Sequence, residues 1–111
     1  MPRDSSAYFD DILDAISAIR DFTQSLSRGD FGHDRKTVDA VLRNLEVIGE
    51  AVKQLSAEVC SAHPDVEWQK IAGLRDILIH AYFGVDLDIV WDVVSNKLPT
   101  LERRIREIVQ G

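Results

Sequence analysis

An all-α fold, a four- or five-helix antiparallel bundle, is predicted by three features of the sequence. Apolar residues recur at spacings of three and four through every long segment, and no segment alternates apolar and polar residues as a half-buried strand would. The connections between the periodic segments are short, which favours neighbouring helices that run up and down. The chain has 111 residues, 45% hydrophobic and 29% charged, enough for one soluble domain spanning 1–111 with a single core.

The first helix is expected over residues 6–27, with Phe9, Ile12, Ile16, Ile19, Phe22 and Leu26 on one face. Arg28-Gly29-Asp30-Phe31-Gly32 then places two glycines within a few residues and predicts a stop. Asp34 can cap a second helix whose stripe, Val38, Val41, Leu45, Ile48, Val52, Leu55 and Val59, alternates steps of three and four. That regularity predicts lengthwise packing against a neighbour, and Gly49 within it suggests a close backbone approach. Ser61-Ala62-His63-Pro64-Asp65 reads as a loop, because a residue before proline is pushed out of the helical region. A third helix is expected over 67–81, ended by Gly84 or the turn before it. Asp86 can cap a fourth containing Ile89, Val90, Trp91 and Val94. Pro99 fits the first turn of a last helix carrying Leu101, Ile105 and Ile108.

Composition excludes several functions. The net charge of −6 argues against broad nonspecific binding to nucleic acid, whose attraction is mostly electrostatic, though a local basic cleft is compatible with it. Arg28, Arg35, Lys36 and Arg43, and then Arg103, Arg104 and Arg106, read as solvated helix faces. No apolar run could span a bilayer and the amino terminus carries no secretion signal. With Cys60 the sole cysteine, no internal disulfide can form, and a reducing, cytoplasmic setting is expected. Cys60 and His63 make half of a metal-ligand pattern without a second pair, so no metal site and no cofactor is expected. His33 stands in a glycine-rich loop without partner ligands, and no Walker loop, dinucleotide fingerprint or nucleophile elbow is present.

The third helix carries the unusual residues. At about 100° per residue, Trp68, Ile71, Ala72, Leu78 and Ile79 share one broad arc, and Arg75 and Tyr82 fall inside it. Gln69, Gly73, Asp76 and His80 form a separate stripe, with Asp76 and His80 one turn apart. A guanidinium inside an apolar arc is costly unless it is paired or opens into a cleft. An intramolecular salt bridge to Glu46 or Glu50 is the plain reading of Arg75, and a surface histidine bonded to Asp76 is that of His80. Taken together, a fixed cation, an imidazole, a carboxylate and a phenol within two turns are what phosphodiester chemistry could use.

Arg75-Asp76-Ile77-Leu78-Ile79-His80-Ala81-Tyr82 resembles the signature of the HEPN superfamily in the form found in HepT-like toxins. Arg43-Asn44-Leu45-Glu46-Val47-Ile48-Gly49-Glu50-Ala51 is similar to the second-helix motif of those proteins, and Trp68-Gln69-Lys70-Ile71-Ala72-Gly73 to the lead-in of the signature. Tyr82-Phe83-Gly84-Val85-Asp86, Val90-Trp91 and Leu98-Pro99 resemble the family's segments on the carboxyl-terminal side of the signature. The likeness covers nearly the whole chain from Arg43 onward.

That resemblance implies a HEPN-like homodimer acting as a metal-independent endoribonuclease. It would be the toxin of a type VII-like pair, with a cognate MNT-type nucleotidyltransferase antitoxin as partner and RNA as substrate. It implies that His80 acts as general acid or base, that Arg75 holds the scissile phosphate and that Asp76 orients one of them. It also implies that Tyr82 accepts adenylyl groups that silence the enzyme. On an unbroken helix Arg75 and His80 point roughly 140° apart. One site therefore needs a helix that ends near His80, or a second copy brought in by a two-fold axis. Gly73 would help such close approach. The competing reading is a non-catalytic subunit that presents nucleotide or substrate to a separate nucleotidyltransferase. An intact His80 favours the enzyme, since binding alone has less need of a titratable group.

Overall fold

The computed structural model describes residues 4–80 and 86–111, with positions 75–80 described by their backbone alone. These residues form helices α1 (Ser5–Thr23), α2 (Arg28–Gly32), α3 (Arg35–Lys53), α4 (Ala57–Ala62), α5 (Trp68–His80), α6 (Leu87–Asp92) and α7 (Leu98–Gln110). A π-helical turn, Val93–Lys97, joins α6 to α7 without a break. No strand occurs among the described residues, so the all-α prediction holds.

The core is built on α3. Val41, Leu45, Ile48 and Val52 on its inner face are at most 3% exposed. Each such side chain contributes about 1.5–3 kcal/mol when fully buried. The face of α1 formed by Phe9, Ile12, Ile16 and Ile19 packs along it, and α5 packs along it too, the lengthwise packing that the stripe predicted. Gly49 is buried on α3. The C-terminal half of α1 lies beside the start of α7, held there by an Arg20–Glu102 ion pair. Thr23, the buried polar residue of α1, donates its hydroxyl to the Ile19 carbonyl oxygen at 2.8 Å.

Three boundaries differ from the sequence expectation, each for a local reason. The first helix ends at Thr23, and Phe22 is 42% exposed, off the buried face. The glycine-rich stop contains a further turn of helix, α2, because Ser27 and Asp30 cap each other reciprocally. Phe31 on that turn is fully buried, its ring 5.1 Å from that of Trp91, and Arg28 pairs with Asp88 at 2.6 Å, so α2 is pinned onto α6. The second predicted helix is divided in two. The Leu55 amide bonds back three residues to Val52, tightening the end of α3, and Ser56 then accepts the Val59 amide to start α4.

The last two predicted helices are in fact one continuous rod. Pro99 has no amide hydrogen to give Ser95, four residues back, and its ring crowds that carbonyl. The turn before it widens instead of breaking: the Leu98 amide bonds to Val93, five residues back. The predicted caps are present. Asp34 accepts the Thr37 amide at 3.2 Å and Asp86 the Asp88 amide at 2.9 Å. No described helix is long and apolar enough to cross a membrane.

Candidate functional site

Arg75, Asp76 and His80 of the signature sit on α5, and the way α5 is anchored decides where they stand. Its first residue, Trp68, is 7% exposed and donates its indole N–H to the His63 carbonyl oxygen at 2.9 Å. The loop from His63 to Glu67 is clamped from across the fold. Arg104 on α7 forks onto Asp65, with Nε at 2.7 Å and Nη2 at 3.1 Å from the two carboxylate oxygens. Its Nη1 donates to Glu107 at 3.0 Å, and Nη2 also reaches Nδ1 of His63 at 3.5 Å. The Arg104 hydrogen bonds hold the Asp65 carboxyl below the usual carboxylate range, and Asp65 in turn raises Arg104. Arg104 is therefore a structural clamp on the α5 lead-in, where the sequence pointed to a solvated last turn. Asp65 and Arg104 are 39 residues apart, and no local pattern links them.

From that anchor α5 runs unbroken through Arg75, Asp76 and His80. Trp68 is buried and Ile71 and Ala72 pack against the core. Backbone position 75 lies on the same arc, seven residues from Trp68 and three from Ala72. Position 80 lies seven residues from Gly73, on the stripe of Gln69, which is exposed. Among the described residues nothing lies within 4 Å of a Cβ built on Gly73, so that position has open space beside it. Backbone positions 75 and 80 accordingly stand roughly 140° apart around the helix. The expected approach of Glu46 or Glu50 to the Arg75 guanidinium lies outside the described residues. Both glutamates are half-buried on α3, and Glu50 accepts a bond from Gln54 at 3.2 Å. Tyr82, Gly84 and the turn around them also lie outside the described residues.

The remaining titratable groups are mostly accounted for by the fold. His33 bonds through Nδ1 to the Gly29 carbonyl oxygen at 2.8 Å. Burial pushes the Cys60 thiol up, and His63 turns to Arg104. Among the described residues no group of three or more His, Cys, Asp or Glu side chains could hold a metal ion. Arg35 pairs with Asp39 at 3.8 Å and Arg106 with Glu102 at 3.3 Å, each along its own helix.

Comparison with known proteins shows the family. A family described as Ribonuclease HepT-like matches residues 12–108, which takes in all of α5. The chain is 46% identical over 111 residues to a protein of Methanocaldococcus jannaschii named "Putative RNase", covering 99% of this chain and 92% of that one. It is 41% identical over 108 residues to the "Probable ribonuclease HepT" of Thermococcus cleftensis, covering 97% and 98% respectively. It is also 38% identical over 110 residues to a second M. jannaschii protein, named "Gamma-glutamylcyclotransferase and putative RNase", where it covers 99% of this chain and 50% of that one. No solved structure matches.

Proposed function

The chain belongs to the HepT-like ribonuclease family, and on that premise we propose that it is a metal-independent endoribonuclease whose catalytic groups are Arg75 and His80. The observation that carries this reading is the family match running through α5 with both residues inside it. An imidazole ionises near neutral pH, so His80 can take the proton of a ribose 2′-hydroxyl. The 2′-oxygen attacks phosphorus, the bond to the 5′-oxygen breaks, and a cyclic phosphate remains on the upstream fragment. The leaving 5′-oxygen takes a proton from a second imidazole or from water. Arg75 holds the phosphate and offsets the charge that builds on it, a task suited to a planar fork of donors. Asp76 orients Arg75 or His80. The nucleophile confines cleavage to RNA.

Positions 75 and 80 stand apart on one helix, so the site is completed by a second copy of the chain, with the two α5 helices facing. Gly73 supports this, since among the described residues nothing lies within 4 Å of a Cβ built there. The protein acts in the cytoplasm as the toxin of a pair. Its nucleotidyltransferase antitoxin adds AMP to Tyr82: the phenol oxygen attacks the α-phosphorus of ATP and pyrophosphate leaves. The bulky anions then obstruct the cleft and repel RNA phosphates.

RNA cleavage by purified, unmodified protein in chelator tests the reading. His80→Ala should lose roughly 10²–10⁴-fold in rate, and Arg75→Ala should fall with it. RNA that stays intact with wild type while nucleotide still binds would replace the enzyme with a non-catalytic subunit that presents nucleotide to its partner. For the regulatory step, incubation with the cognate nucleotidyltransferase and ATP should add AMP-sized mass to wild type and none to Tyr82→Phe. An unchanged product with Tyr82→Phe would remove Tyr82 as the acceptor.

A further inference from the structure

A groove of about 440 Å³ opens between the start of α5 and the rod formed by the π turn and α7. It is away from the Gln69–Gly73 stripe on which position 80 lies, while Ile71 on its wall shares the arc of position 75. Its floor is apolar: Val66, Ile71 and Leu74 on one wall, and Val93, Leu98 and Leu101 on the other. From Val93 to Arg104 the rod wall is about 16 Å long at a helical rise of 1.5 Å per residue. That length accommodates about three turns of a second helix.

The rim is basic on a chain that is acidic overall. Lys70, Lys97, Arg103 and Arg104 line the groove against Asp65 and Glu67. Both acids are already taken, Asp65 by Arg104 at 2.7 Å and Glu67 by Lys70 at 3.2 Å. Lys97 has no ion-pair partner among the described residues. The nearest carboxylate of Arg103 is Glu107, 3.8 Å away and bound more closely by Arg104 at 3.0 Å. Lys97, and Arg103 with that one long pair, thus stand beside an apolar trough on a chain whose net charge is −6.

We infer that this groove docks an acidic, amphipathic helix of a partner polypeptide, its apolar stripe on the floor and its carboxylates against Lys97 and Arg103. The apolar floor favours such a ligand over a polynucleotide. Phosphates gain nothing from Val93, Leu98 or Leu101, and among the described residues no aromatic side chain lines the groove to stack a base. The half-open form suits a helix laid into a groove, with anchors at positions i, i+3, i+4 and i+7. The π turn contributes directly, since Val93, Asn96 and Lys97 from that wide turn all face the groove.

The probe is a fluorescein-labelled designed peptide of about three helical turns, with leucines at those anchor positions flanked by glutamates. Its twin carries lysines in place of the glutamates. Fluorescence anisotropy on the full chain should show saturable binding of the glutamate peptide, at least about tenfold tighter than its twin. Lys97→Glu should weaken it by about fivefold, and Leu74→Asp should abolish it. Arg43→Glu, on the exposed side of α3, should leave it unchanged. If Leu74→Asp fails to fold, Lys97→Glu still decides, because Lys97 is exposed. Equal binding of the two peptides, no saturable binding, or unaltered affinity in Lys97→Glu would overturn the inference. Displacement of the peptide by an oligouridylate in a Lys97-dependent manner would reassign the groove to nucleic acid. None of these readouts depends on RNA cleavage, so they stand or fall apart from the proposed activity.

Discussion

Replacing Gly73 with alanine should stabilise the separated chain while loosening the proposed dimer. Gly73 lies inside α5, where glycine costs about 1 kcal/mol relative to alanine in helix propensity. The gain is realised only if the new methyl group has room, and a Cβ built there meets nothing within 4 Å. No clash cost is therefore subtracted, and the expected gain is the full 1 kcal/mol or so. For a chain of this size that corresponds to a rise in melting temperature of about 4 °C. The assay is urea unfolding followed by circular dichroism, at protein concentrations low enough to separate the copies. The midpoint should rise with the slope unchanged, marking a change in stability and not in the surface exposed. Sedimentation at higher concentration should show weakening of the proposed dimer, because the added methyl groups would separate the two α5 helices it brings face to face. A lower midpoint in the separated chain would refute the packing argument. A dimer of unaltered affinity would remove Gly73 from the interface.

Two further perturbations probe the frame that holds α5. Asp65 contributes stability above the usual carboxylate pKa of about 3.9, and loses it as pH falls through the depressed value that Arg104 imposes in the folded state. Below about pH 4 the wild-type melting temperature should therefore fall more steeply with acid than that of Asp65→Asn, in thermal melts across a pH series; parallel curves would show that the clamp adds no stability. Leu45→Ala empties a position that is 1% exposed at the centre of α3, and should cost about 2–5 kcal/mol in denaturant unfolding.

The fold class was legible because helix periodicity is a local property. The stripe from Val41 to Val52 repeats at three and four, and those are the residues buried on α3. Asp34 and Asp86 were legible as caps because a cap bonds to amides two or three residues ahead. The α2 turn was not, because the two glycines pointed to a stop, whereas in the fold Ser27 and Asp30 cap each other and Phe31 is buried. Pro99 showed the reverse. By itself it marks a helix start, but packing on both sides of it keeps the rod continuous and the strain is taken up in a wide turn.

The sequence by itself determined that the chain is helical, which faces of α1 and α3 are buried, and that Arg75 and His80 occupy different arcs of one helix. Those properties come from spacing along the chain and from a rotation of about 100° per residue. The tertiary structure decided how α5 is held, through Arg104 on Asp65 and Trp68 on His63, and where a basic-rimmed groove opens beside it. These depend on pairs of residues far apart in sequence, whose meeting is fixed by packing against α3 and α7 and carries no local signature.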